Sequence, residues 1–216
     1  PLAACGGGDD APAVQFAPGI ASGDPLADRV MLWTRVTPPV GHTGDIPVEW
    51  EVATDSAFTT LVAQGQTTAL ASKDFTVKVD ATGLKAATAY HYRFRAYAAT
   101  SPTGRTRTLP TGSVAQVKLA VFSCANYPAG YFNVYAHAAK RGDLDATVHL
   151  GDYIYEYGQG GYASANAGAL GRLSTPAKEI LSLADYRQRH AQYKSCLFTT
   201  PALPTLTHRF SLGRCT

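Results

Sequence analysis

Two apolar runs constrain this chain more than any other feature. "VKLAVFSC" (117–124) and "DATVHLGD" (145–152) are nearly continuous in apolar residues, the pattern of strands covered on both faces. Between them, "GYFNVYAHAAKRG" (130–142) places Phe132, Tyr135, Ala136 and Ala139 at helical spacing and stops at Gly142. The three segments read as one β-α-β unit, so the sheet is predicted to be parallel. Two parallel strands joined by one right-handed crossover lie close together. Their carboxyl ends share one sheet edge, where open α/β folds hold their ligands.

Cys124 ends the first strand, Asp152 ends the second, and Tyr155 follows three residues later. Each alone has an ordinary reading: a buried small hydrophobe, a turn cap and a packing ring. Together they can meet in one coordination sphere. Thiolate, carboxylate and phenolate are all anionic and suit a trivalent ion such as ferric iron, whereas zinc more often takes histidine or several cysteines. The second oxygen of Asp152 could bridge to a harder ion, and calcium would accept it.

Upstream, the pattern is that of an all-β domain. "RVMLWTRV" (29–36), "PVEWEVATD" (47–55), "FTVKVDATGL" (75–84) and "AYHYRFRAYA" (89–98) are strand-length, β-branched and aromatic, with Gly, Pro and Asp between them. Alternation in "VEWEV" and "YHYRFRAY" predicts half-buried strands, and the segment 14–112 suits a β-sandwich. "ATGLKAATAYHYRFRA" resembles the fibronectin type III signature, which implies Leu84 in the core and Tyr90 as a corner tyrosine bonded back to the backbone. Trp33 and Trp50 are expected in the core or between the sheets, with a sugar-binding platform as the alternative.

Downstream, "SLADYRQRHAQYKS" (182–195) reads as a helix with a Ser182–Asp185 capping box. Leu183, Tyr186, His190 and Tyr193 share one face of it. His190 is read as a helix-face residue, not a ligand.

"SCANYPAGYFNVYAHAAKRGDLDATVHLGDYIYEYG" resembles the start of the catalytic domain of PhoD-type alkaline phosphatases (alkaline phosphatase D). "FAPGIASGDPLADRVMLWTRVTP" is similar to the entry of that family's N-terminal β domain. The resemblance runs from about Phe16 to Ser195. It implies an exported hydrolase of phosphate mono- and diesters that uses Fe3+ and Ca2+. Cys124, Asp152 and Tyr155 then correspond to iron ligands, Asp152 bridges to calcium and acts in catalysis, and Asn126 is near enough to touch phosphate. Tyr153 and Glu156 are candidates for supporting or packing roles. The implied fold is a two-domain α+β chain: a fibronectin III-like sandwich, then the incomplete start of an α/β metallophosphatase sandwich. Another type of metallophosphoesterase fits less well, because Ser123-Cys124-Ala125 stands where an Asp-x-His start is usual.

The N-terminal "PLAACGGGDDAP" resembles the end of a bacterial lipoprotein signal, with Leu2-Ala3-Ala4-Cys5 as the lipobox. Cys5 would carry the lipid, residues 1–13 would be a remnant and tether, and the protein would be periplasmic or lipid-anchored at the cell surface. A chance cysteine in a disordered terminus is the alternative. The chain begins at Pro1 and its one methionine is Met31, so the N-terminus is expected to be cut or incomplete. The four cysteines are irregularly spaced and read as no disulfide framework, although Cys196 and Cys215 could pair in an exported protein. The net charge of +3 is small and no basic stripe stands out, which argues against nucleic acid. No apolar run is long enough to span a membrane.

The resemblance stops at Cys196. "CLFTTPALPTLTHRFSLGRCT" has no acidic residue and no helical or strand period, where the family continues to a Trp-Asp-Asp-His-Glu motif. If residues 212–215 were encoded CTG-GGA-CGA-TGC, reading one base later would give Trp-Asp-Asp. Residues 196–216 are therefore expected to be a frameshifted tail, with a divergent tail or a genuinely short protein as alternatives. Residues 113–195 would then be only the first part of the catalytic domain, and the truncated chain is expected to be inactive. The competing reading is a lipid-tethered β-sandwich binding module with a nonfunctional α/β appendage. Metal analysis separates the two.

Overall fold

Side-chain alternation builds the first block. In β2 (Arg29–Arg35), Val30, Leu32 and Thr34 are buried while the intervening residues are half-exposed. β5 (Thr76–Thr82) does the same with Val77, Val79 and Ala81, and β6 (Ala89–Ala96) with Tyr90, Tyr92, Phe94 and Ala96. With one apolar face each, such strands must stack in two layers. The computed structural model, which describes residues 12–196, shows those layers. β1 (Ile20–Gly23), β2 and β5 form one antiparallel sheet. The other runs β4 (Leu61–Ala69), β3 (Ile46–Ala53), β6 and β7 (Ala99–Thr100), with β8 (Gly104–Arg107) also on β6. Leu32, Val48, Val52, Tyr92 and Phe94 meet in the shared core. The order is that of a fibronectin type III-like sandwich.

The corner tyrosine is where the sequence places it. Tyr90 is buried and its Oη accepts the Lys85 N–H at 2.8 Å, while Leu84 joins the core. Trp50 packs on the core edge as expected. Trp33 does not: the β2 alternation turns it outward, half-buried, 6.0 Å beneath the Lys194 ammonium.

β9 (Leu119–Phe122) and β10 (Ala146–His149) form the expected parallel pair, with Leu119 opposite Ala146 and Phe122 opposite His149. α1 (Asn133–Ala139) lies between them in sequence, shorter than the predicted segment 130–142, and a separate 3-10 turn, Tyr127–Ala129, precedes it. Burial of β9 on both faces is not observed. Tyr135 of α1 packs edge-on to Phe122 at 4.8 Å, but Leu119 and Val121 stay more than half exposed. Among the described residues, the aromatic cluster of Tyr127, Tyr135 and Tyr193 covers one side of this sheet only.

α2 (Leu183–Cys196) opens with the predicted reciprocal cap: Asp185 N–H donates to Ser182 Oγ at 3.2 Å, and Ser182 N–H to Asp185 Oδ2 at 3.0 Å. Its buried face differs from the expected one. Asp185, Arg189 and Tyr193, four residues apart, point inward, while Leu183 and Tyr186 are exposed and His190 is half-buried. Hydrogen-bonding demand outweighs hydrophobicity here, because Arg189 satisfies a cluster of backbone carbonyls.

Candidate metal centre at the strand ends

The parallel ladder continues past both strands. Leu150 N–H donates to the Phe122 carbonyl at 2.8 Å, Cys124 N–H to Gly151 at 3.1 Å, and Ala125 N–H to Asp152 at 2.8 Å. Cys124 and Asp152 adopt φ of 63° and 51°, the left-handed region that costs a side chain about 1–3 kcal/mol. This pair of matched turns carries both side chains to the same sheet edge.

There Cys124 and Tyr155 converge on one oxygen of Asp152. Asp152 Oδ2 accepts from Tyr155 Oη at 3.3 Å and from Cys124 Sγ at 3.5 Å, and Ser123 Oγ lies 3.2 Å from the same sulfur. Desolvation, then the Cys124 hydrogen bond and the Asp152 charge, push the Tyr155 phenol well above its ordinary range. Three acidic groups crowd together and their neighbourhood favours the protonated phenol, which is the arrangement a cation relieves. Among the described residues, no group of three or more His, Cys, Asp or Glu gathers; the third polar group beside Cys124 and Asp152 is the Tyr155 phenol. The donor set fits a high-charge ion with affinity for thiolate and phenolate.

Asn126 sits beside Cys124 on the wall of a cleft of about 280 Å³ that extends to Tyr131 and Val134. Its Nδ2 donates to the Tyr162 carbonyl at 3.3 Å, and its buried Oδ1 has no partner. Tyr153 packs: its ring meets His149 edge-on at 5.2 Å and Tyr193 at 6.0 Å. Glu156 is exposed, and its backbone carbonyl accepts Ile180 N–H at 3.0 Å. Cys5, the Cys196–Cys215 pairing and residues 197–216 lie outside the described side chains.

Two supporting residues escape the sequence reading. His149 Nδ1 accepts the Gly151 N–H at 3.3 Å, so its proton resides on Nε2, 3.0 Å from Tyr135 Oη. Burial lowers its pKa, the Asp152 charge opposes this, and Lys194 adds to it. Arg189 donates to the carbonyls of Tyr155, Thr175 (2.9 Å), Tyr157 and Pro176 (3.1 Å each). The only sequence signal for Arg189 was its spacing from Asp185 and Tyr193.

Comparison with known proteins agrees with this architecture. The family model "PhoD-like phosphatase, N-terminal domain" matches residues 3–110, and "PhoD-like phosphatase" matches residues 119–198. Alkaline phosphatase D of Bacillus subtilis (strain 168) is 44% identical, over 83% of this chain and 31% of its own length. The solved "Structure of PhoD" superposes with a TM-score of 0.83 at 40% identity, over 92% of this chain and 38% of that one. The chain thus spans about a third of the length of these relatives.

Proposed function

Since this chain belongs to the PhoD-like phosphatase family, we propose that it supplies the first metal ligands of a phosphomonoester and phosphodiester hydrolase. The observation that carries this reading is the convergence of Cys124 Sγ and Tyr155 Oη on Asp152 Oδ2 within 3.5 Å. Thiolate, carboxylate and phenolate would hold Fe3+, with the other Asp152 oxygen toward Ca2+. Such ions, when bound, supply positive charge to phosphate oxygens and an activated oxygen nucleophile.

The chain's own residues bind and orient. Asn126, with one amide N–H committed to the Tyr162 carbonyl, would offer the other to phosphate. His149, held neutral, fixes the Gly151–Asp152 turn by accepting the Gly151 N–H. Arg189 holds the backbone from which the Tyr155 phenol reaches Asp152.

On this reading residues 1–13 are a tether, 14–112 the β domain, 113–195 the start of the catalytic domain and 196–216 a divergent tail. The protein would be exported and anchored through a lipid on Cys5. Among the described residues, no helix is long and apolar enough to cross a membrane.

The test is ferric loading of the chain followed by absorption spectroscopy and elemental analysis. Iron should bind with a visible phenolate charge-transfer band. Tyr155→Phe should lose that band, and Cys124→Ala should lose most of the iron. A chain that stays colourless and binds no iron overturns the ligand assignment. For the anchor, Cys5→Ser should release the protein from membranes, and an unmodified Cys5 in the mature protein excludes it.

A further inference from the structure

We propose that Tyr157 and Tyr162 form an aromatic platform at the rim of the metal centre, and that it receives a planar, uncharged ring on the ester group of the substrate. The proposal rests on the phosphoester reading above and names the substrate class that this site prefers.

Three rings make a continuous surface. Tyr155, whose phenol meets Asp152, lies 6.3 Å from Tyr157 at 23° and 6.5 Å from Tyr162 at 28°, while Tyr157 and Tyr162 are 6.1 Å apart. Tyr162 is 65% exposed and Tyr157 43%. Inserting a further ring between two of them needs roughly 7 Å, twice a carbon–carbon contact. A ligand ring therefore lies on the outer faces, reached directly from the metal centre.

The exposure is built into the loop. Arg189 holds the Tyr157 carbonyl at 3.1 Å and Asn126 the Tyr162 carbonyl at 3.3 Å. Gly161 packs so closely that a Cβ there would fall 2.7 Å from Tyr157 Cβ, and one on Gly158 would fall 2.7 Å from the Ala177 carbonyl oxygen. With its backbone held at these points, the loop presents both rings to water beside a polar site. The segment "YGQGGYASANAGALG" (157–171) carries no charged residue. That suits a neutral ring, such as an aryl group or a nucleobase, and not a polyanionic chain. Offset stacking on tyrosine adds a modest, sequence-tolerant affinity.

The test is calorimetric binding of non-hydrolysable phenylphosphonate and methylphosphonate to the full chain supplied with ferric iron and calcium. Wild type should bind the phenyl compound roughly threefold to tenfold more tightly. Tyr162→Ala, and more so Tyr157→Ala with Tyr162→Ala, should bring that ratio close to one, whereas Tyr162→Phe should preserve it. An unchanged ratio in the double alanine variant overturns the platform and leaves the metal centre standing. Equal loss of both ligands also overturns it, because the rings then shape the site and do not read the ester group. Failure of wild type to bind methylphosphonate overturns the phosphoester reading, and the platform with it. Adenosine 5′-monophosphate in place of phenylphosphonate distinguishes a nucleobase preference from an aryl one.

Discussion

The guanidinium of Arg189, a residue 1% exposed on α2, donates to the Tyr157 carbonyl at 3.1 Å and has no carboxylate among its partners in the described residues. Among the described residues, its hydrogen bonds go to backbone oxygens of two segments, 155–157 and 175–176. One side chain thus joins the site loop to the helix.

Arg189→Met should leave those four part-buried acceptors without a partner and destabilise the chain by about 3 kcal/mol or more, at about 1 kcal/mol for each. Arg189→Lys should fall between, since an ammonium has three donors and no planar fork. Denaturant melts would show this, and a loss under 1 kcal/mol for the methionine variant would refute the role.

Tyr90→Phe should cost about 1–3 kcal/mol, because it removes the acceptor of the Lys85 N–H in the sandwich corner. Tyr92→Phe is the comparison: the Tyr92 hydroxyl is also buried, but it holds no such corner bond. Equal stability of wild type and Tyr90→Phe in urea melts would show that the corner bond contributes nothing.

Gly104 pairs with Tyr92 across β8 and β6. A Cβ there would enter the Tyr92 ring and come within 2.8 Å of Ile20 Cδ1. Gly104→Ala should therefore destabilise by about 1–3 kcal/mol through overpacking. Gly112→Ala, with no atom near its Cβ position, should change stability by less than about 0.5 kcal/mol. Thermal melts of the two variants test the contrast directly.

His190 carries a pH dependence of known sign. Burial, then the nearby cations Lys194 and Arg35, lower its pKa to about 4, against a weaker opposing pull from Asp74. An unfolded histidine titrates near pH ~6.5, so between those values the unfolded chain binds more protons. His190 therefore favours folding fully above pH ~6.5, and its contribution fades as pH falls toward 4, by about 2–3 kcal/mol. His190→Gln should flatten the profile in melts at pH 7 and 4.5. An unchanged slope would rule out His190 as the source.

Strands β2, β3, β5 and β6 were legible because each alternates apolar and polar residues over seven or eight positions. β4 was not. "LVAQGQTTA" does not alternate apolar and polar residues and lies at a sheet edge, where ladder hydrogen bonds to β3 hold it. β1, β7 and β8 are too short for periodicity to register. The sandwich reading expects Trp33 in the core or between the sheets, yet strand register decides which face a side chain takes, and in β2 it turns Trp33 outward.

The sequence by itself determined the sandwich corner at Tyr90, the parallel β-α-β unit, and the meeting of Cys124, Asp152 and Tyr155. The last two follow from short-range periodicity and chain connectivity, which leave adjacent parallel strands few ways to end; the corner follows from the resemblance of the segment around Tyr90 to the fibronectin type III signature. Only the tertiary structure decided which side of α2 is buried, that His149 braces the Gly151 turn, and that Tyr157 and Tyr162 stay exposed beside the site. Those outcomes depend on backbone hydrogen bonds between segments far apart in the chain. A carbonyl shielded from water and left unpaired costs free energy, so Arg189 turns inward to the carbonyls of 155–157 and 175–176.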